Sequence, residues 1–196
     1  SFFSSERIAA VVNPKLKNLS LGEKYQPKDK DGKLILSDRL GGWDLGKKSH
    51  PAHFSVHENR SGRRIQIFQK WYDGVDHTIQ LEEIKLAVEM FGIDYVYYDN
   101  TRGELEALQE RGEIPAEFVP VAFGTKSKHA MATLFDRAVT NKAIELIDDH
   151  RQIRQILSVT NDLKAPDSPE GHGDSFWSNA LAFMNEVESI PAISEL

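Results

Sequence analysis

Three aspartates sit where a carboxylate costs something to place. Asp44 falls inside the apolar, glycine-rich run Leu40-Gly41-Gly42-Trp43-Asp44-Leu45-Gly46-Lys47. Asp99 closes the apolar run Tyr95-Val96-Tyr97-Tyr98, and Asp174 opens the stretch Ser175-Phe176-Trp177 after Gly171-His172-Gly173. A carboxylate buried in a sheet is costly unless it is paired or bound to a metal. If the strands that carry Asp44 and Asp99 lie side by side in parallel, the two acids are ~4.8 Å apart. Two ionised carboxylates that close repel, and a hard dication between them relieves the repulsion. Each acid also has an ordinary role: Asp44 in a turn beside Gly46, Asp99 beginning a turn with Asn100 and Thr101, Asp174 as a helix N-cap. Their convergence on one place is what separates the readings.

Other groups could serve the same place. His172 titrates near neutrality and lies between two glycines that allow a close backbone approach. Lys126 and Lys128 follow a strand, and Arg102 follows Asp99; each could meet a phosphate or simply be solvated. Lys47 and Lys48 share that ambiguity, and Arg60, Arg63 and Arg64 form the one clear basic cluster, which could lie against a duplex. Glu82, Glu83 and Glu89 on the first long helix are candidates for a fourth metal ligand. The run Gly41-x-x-x-x-Gly46-Lys47 matches most of a P-loop, but Lys48 stands where the magnesium-binding Ser or Thr belongs. Asp44 would repel the phosphates, and Pro51 with an alternating run follows in place of a helix, so nucleotide binding is rejected.

The elements that must position these groups follow from patterning. Residues 5–12 read as a short helix stopped at Asn13-Pro14, and residues 24–33 as a polar exposed loop. Strands are expected at 40–45, after an extended piece at 34–36, then at 53–57 and 64–71 around the turn 59–62. A helix over 78–91 ends at Gly92, and 93–98 is apolar enough for a strand buried on both faces. Helices at 103–111, 128–139 and 149–159 alternate with strands at 118–123 and 143–147. A loop over 161–173 leads to a last helix over 175–187. This order predicts an α/β fold: a mixed sheet with an antiparallel edge and helices on both faces.

The chain has 196 residues, enough for one well-packed domain, with 40% hydrophobic and 28% charged residues. It has no cysteine, which removes disulfides and thiolate zinc sites. No apolar run approaches a membrane span of ~20 residues. A net charge of −6 argues against a strong stand-alone nucleic-acid binder, since phosphate neutralisation drives such affinity. The absence of an initiating Met leads to the expectation of a fragment or a processed chain.

Taken together, Gly42-Trp43-Asp44-Leu45-Gly46, Val96-Tyr97-Tyr98-Asp99-Asn100-Thr101 and Gly171-His172-Gly173-Asp174-Ser175-Phe176-Trp177-Ser178, with Ala180-Leu181-Ala182, resemble the nuclease domain of the large terminase subunit of tailed bacteriophages. Val121-Ala122-Phe123 with Lys126 extends the resemblance, which covers residues 34–187. It implies an RNase H-like, retroviral-integrase-type fold over 34–196, with residues 1–33 as an N-terminal linker segment toward a missing ATPase motor domain. It also implies a metal-dependent endonuclease that cuts concatemeric viral DNA during genome packaging, in the cytoplasm of the infected bacterial host. By position Asp44, Asp99 and Asp174 become the metal-binding catalytic acids, with His172 and Lys126 as auxiliary groups and Arg102, Lys128, Arg63 and Arg64 toward DNA. Two Mg²⁺ or Mn²⁺ ions roughly 4 Å apart would activate water and stabilise the leaving 3′-oxygen. The implied partners are double-stranded DNA, the motor domain of the same polypeptide, the small terminase subunit and the portal protein, with no membrane. The glutamate of ribonuclease H's first long helix has no clear counterpart. A Holliday-junction resolvase, a transposase-like nuclease and a non-catalytic docking module for DNA or the portal are the alternatives.

Overall fold

In the computed structural model, residues 1–46 and 50–188 are described. The strands are β1 (Val12–Asn13), β2 (Arg39–Asp44), β3 (Ala52–Arg60), β4 (Arg63–Tyr72), β5 (Tyr95–Asp99), β6 (Phe118–Val121) and β7 (Ile144–Ile147). They form one sheet in the order β1-β7-β4-β3-β2-β5-β6. β2, β3 and β4 pair antiparallel; β5 and β6 extend the sheet in parallel beyond β2, and β7 and β1 extend it in parallel beyond β4. The sheet is mixed as expected, but its antiparallel strands lie at the centre, because β7 adds to the outer side of β4.

Successive side chains of a strand point to opposite faces, and here both faces are covered. On one side Trp43, Phe54, Val56, Ile65, Val96 and Tyr98 pack against α2 (His77–Phe91) and α3 (Glu106–Glu110). On the other, Leu40, Tyr97, Val121 and Ile144 meet α4 (Thr125–Thr140), α5 (His150–Ser158), α6 (Asp174–Leu181) and α7 (Met184–Glu188). α2 starts where Asp76 Oδ1 accepts the Thr78 N–H at 2.8 Å, and stops at Gly92, whose φ of 61° is left-handed. The last helix is broken in two at Ala182 and Phe183, where Arg64 Nη1 donates to the Ala182 carbonyl at 2.7 Å.

Within the expected linker segment 1–33, residues as far as Tyr25 pack onto the domain. Phe3, Ile8 and Val11, flanking and within α1 (Ser5–Ala9), are buried in the α4–α6 core. β1 adds to the sheet through Val12↔Leu146 and Asn13↔Ile147. The chain then crosses to the other face, where Leu16, Leu19, Leu21 and Tyr25 pack on the second core. Those apolar residues are what a polar linker lacks, and they hold the segment down as far as Tyr25. Beyond it, Leu34, Ile35 and Leu36 are exposed.

Candidate metal centre and its surroundings

The carboxyl ends of β2 and β5 place the first two acids. Trp43 pairs with Tyr98 in the parallel register, so Asp44 and Asp99 are the next residues on adjacent strands. Leu40, Gly42 and Asp44 share the face toward α6. Gly42 lets that helix lie directly on the strand: a Cβ there would stand 1.8 Å from the Ser178 carbonyl oxygen. The glycines of residues 40–47 therefore do more than leave the acid's surroundings open. One of them admits the helix that carries the third acid.

Asp174 is the first residue of α6 and does not cap it; the N-cap is Gly173, with a φ of 70°. The turn before it wraps the carboxylate. His172 N–H donates to Asp174 Oδ2 at 2.9 Å, and a Cβ on Gly171 would lie 2.4 Å from the same oxygen. Gly171 has a φ of 137°, so both its conformation and the space beside it require glycine. Gln155 Oε1 accepts the Gly173 N–H at 2.9 Å and locks the turn from α5.

Asp44 is 7% exposed and Asp174 4%. Their carboxyls lie close enough that each changes the other's proton affinity. Burial, then the charges of Asp174 and Asp99, push the Asp44 carboxyl well above the usual range, against a Gly46 N–H at 3.4 Å. Burial raises Asp174 as well, offset by the His172 N–H and its bond to Asp44. Asp99 is half-buried and turned to its own loop, where Oδ1 accepts the Thr101 N–H at 2.9 Å and Oγ1–H at 2.5 Å. Among the described residues, no three His, Cys, Asp or Glu side chains already form a ligand cluster. The donor chemistry fits a hard dication, because the pair offers oxygen ligands whose buried negative charge a cation would neutralise.

The acids line a cavity of about 420 Å³ that Arg102, Lys128, Lys164 and His172 also line. The Lys128 ammonium lies 5.1 Å from the Trp177 ring and 5.8 Å from that of Phe123. Arg102 is exposed and pairs with Glu104 at 3.3 Å. His172 Nδ1 lies 2.9 Å from Asp167 Oδ1, a carboxylate lining the same cavity that the sequence reading passed over. The sequence offers only its place in the loop 161–173 as a signal.

Other expected groups lie elsewhere. Lys126 is exposed on the first turn of α4 and does not line the cavity. Arg63 and Arg64 are at the far end of the sheet: Asp44 pairs with His53, whereas the β3–β4 turn lies beyond Arg60. Arg63 binds Glu145 and the Lys142 carbonyl. Arg64 is 3% exposed, its guanidinium 4.2 Å from the Phe183 ring centroid and bonded to Ala182, Asn185 and Glu186. Burial takes it away from DNA and makes it a strut for α6 and α7. Glu82 and Glu83 on α2 pair with Lys85 of the same helix and Lys70 of β4, on the opposite face from the acids, and Glu89 is exposed there. None of them is a fourth ligand. Lys47 and Lys48 lie outside the described residues.

Between the sheet and α5–α6 runs a buried layer of polar side chains. His53 Nδ1 meets Ser178 Oγ at 2.6 Å and its Nε2 meets Gln69 Oε1 at 2.6 Å. Asn179 uses all four of its hydrogen-bonding positions, on Ser55, His57, Gln152 and the Ser175 carbonyl. Gln66 and Gln152 bond to each other through both amides. Burial lowers His53 to about 4 and His57 to about 3, so both are neutral at pH 7. The alternation His53-Phe54-Ser55-Val56-His57 carried this signal: its polar members face a second buried layer instead of solvent.

No protein-family model matches the chain, and no curated protein does. Solved structures do. The large terminase nuclease from thermophilic phage G20c aligns with a TM-score of 0.68 at 15% identity, over 91% of this chain and 95% of that one. The same nuclease with bound magnesium gives 0.68 at 18% identity, covering 91% and 94%. Further structures of it hold zinc or cobalt. The HK97 bacteriophage large terminase gives 0.66 at 10% identity, over 92% of this chain and 42% of that longer one. The fold is that of large terminase nuclease domains, an RNase H-like fold.

Proposed function

We propose that this chain, folded as phage large terminase nucleases are, is a divalent-metal-dependent endonuclease that cuts viral DNA during genome packaging. The observation that carries the reading is that Asp44 and Asp174, both buried, and Asp99 on the adjacent strand end line one cavity together with Arg102, Lys128 and Lys164. The fold likeness supports a nuclease role in packaging, and the magnesium, zinc and cobalt bound to the G20c nuclease support a divalent metal here. Mg²⁺ or Mn²⁺, as a pair of ions, is the proposed cofactor.

Asp44, Asp99 and Asp174 would hold the ions. When bound, such ions supply Lewis acidity, lowering the pKa of a water and offsetting charge on the phosphodiester. The chain's own residues do the rest. Asp44 and Asp174 would be ionised to hold such an ion, and Asp99 stands beside Asp44 at the end of the adjacent strand. The His172 N–H and the Gly171 turn keep the Asp174 carboxylate aimed into the cavity. Arg102 and Lys128, which line the same cavity, orient the DNA phosphates, while Lys126 on the first turn of α4 reaches DNA outside the cavity.

The wider setting is also proposed. Residues 1–33 would lead from an ATPase motor domain, with double-stranded DNA, the small terminase subunit and the portal protein as partners in the host cytoplasm. Plasmid nicking with Mn²⁺, Mg²⁺ or EDTA tests the core of it, comparing the parent with Asp44→Ala. Nicking that needs metal and Asp44 is expected. Nicking that survives both EDTA and the substitution refutes it.

A further inference from the structure

The polar layer beside the acids takes no part in that chemistry, yet one of its members ties both acid-bearing elements together. His53 is the register partner of Asp44 across the β2–β3 pair, so the two side chains are neighbours on one face. Ser178 lies four residues after Asp174 on α6, so those two also share a face. The His53–Ser178 hydrogen bond at 2.6 Å therefore joins the β3 neighbour of Asp44 to the α6 residue one turn after Asp174. Gln69 Oε1 only accepts, so the proton sits on His53 Nε2 and Nδ1 accepts from the Ser178 hydroxyl. The ring is held in turn by Trp71, with centroids 4.5 Å apart. His53, Ser178 and Gln69 are all buried, and both bonds are short.

We propose that His53 is a positioning residue: its bond to Ser178 fixes the separation of Asp44 and Asp174 and so the metal affinity of the pair. The inference rests on those acids being metal ligands. Groups that orient ligands from behind typically govern metal affinity by 10- to 100-fold. Gln155 clamps the other side of Asp174 through the Gly173 N–H, so the helix start is gripped at two points.

The two ring nitrogens allow a discriminating test. An Asn amide places its oxygen near the position of Nδ1, and a Gln amide places its end near that of Nε2. His53→Asn keeps the bond to Ser178 and loses that to Gln69; His53→Gln does the reverse. Mn²⁺ binding to the full chain without DNA is followed by electron paramagnetic resonance, with thermal melting alongside. We expect both variants to lose similar stability, His53→Gln to bind Mn²⁺ roughly 10- to 100-fold more weakly, and His53→Asn to bind close to the parent. Ser178→Ala, a loss of one oxygen, should weaken binding as His53→Gln does, and carries the test if a His53 variant does not fold. Equal Mn²⁺ affinities for the Asn and Gln variants, or parent-like affinity in Ser178→Ala, overturn the proposal. Asp44→Asn separates the two levels. If it binds Mn²⁺ like the parent, the metal reading fails; if it loses binding while the other variants do not, only the role of His53 fails.

Discussion

Replacing Gly42 by Ala perturbs the site without touching any polar group. The added Cβ would stand 1.8 Å from Ser178 O, 2.8 Å from Ser178 C and 2.9 Å from Ala182 N. All three are backbone atoms of α6 and the turn that ends it, so no side chain can swing aside. The helix must retreat by at least 1.2 Å to restore the 3.0 Å below which Cβ contacts essentially never fall. Overpacking of this kind costs about 1–3 kcal/mol or more, which in a chain of this size lowers the melting temperature by roughly 2–12 °C. The retreat also carries Asp174 away from Asp44, and a 1 Å misplacement of catalytic groups costs on the order of 100-fold in rate. Gly41→Ala is the control: its Cβ meets only side-chain atoms, Phe54 Cε1 at 3.0 Å and Val96 Cγ2 at 3.2 Å, on the other face. Thermal melting and plasmid nicking of the two variants decide the matter. Gly42→Ala should lose far more nicking than Gly41→Ala. Parent-like nicking in Gly42→Ala would refute the claim that this contact sets the spacing of the acids.

Three other outcomes follow from the same geometry. Arg64→Ala should cost about 2–3 kcal/mol, since it strands buried partners, while Arg63→Ala stays within about 0.5 kcal/mol; neither should change DNA affinity by fluorescence anisotropy. Arg102→Ala and Lys128→Ala should each weaken DNA binding and lower the slope of log affinity against log salt by about 1, with an unchanged slope counting against a phosphate contact. Asp44 has a folded-state pKa raised by burial and by its acidic neighbours, so the stability it contributes is full below the unfolded value of about 3.9 and is lost as pH rises through the folded value. Asp44→Asn lacks that loss; in metal-free buffer its melting temperature should gain on the parent's as pH rises from 4 to 8, and a pH-independent difference would contradict the assignment.

Much of the fold was legible in residue order. Alternation and apolar runs located β3, β4 and β5, and the glycine after Phe91 marked the end of α2. The acids at strand and helix ends were legible as a set because each stood where an ordinary solvent-facing Asp does not need apolar flanks. Other features depended on contacts distant in sequence. Arg60, Arg63 and Arg64 look alike in sequence, but only Arg64 points at α6, where the Ala182 carbonyl and Phe183 receive it. The polar His53, Ser55 and His57 marked a strand but not what covers it, because alternation cannot distinguish water from a second, polar buried layer. Residues 1–33 looked like a linker because their apolar positions are spread thinly, and two separate cores take up those as far as Tyr25.

The most direct test of the central claim is anomalous diffraction from crystals soaked in Mn²⁺. The account predicts manganese bounded by the carboxylates of Asp44 and Asp174, with Asp99 turned from Thr101 to join them. Saturating Mn²⁺ that settles away from all three acids would contradict it.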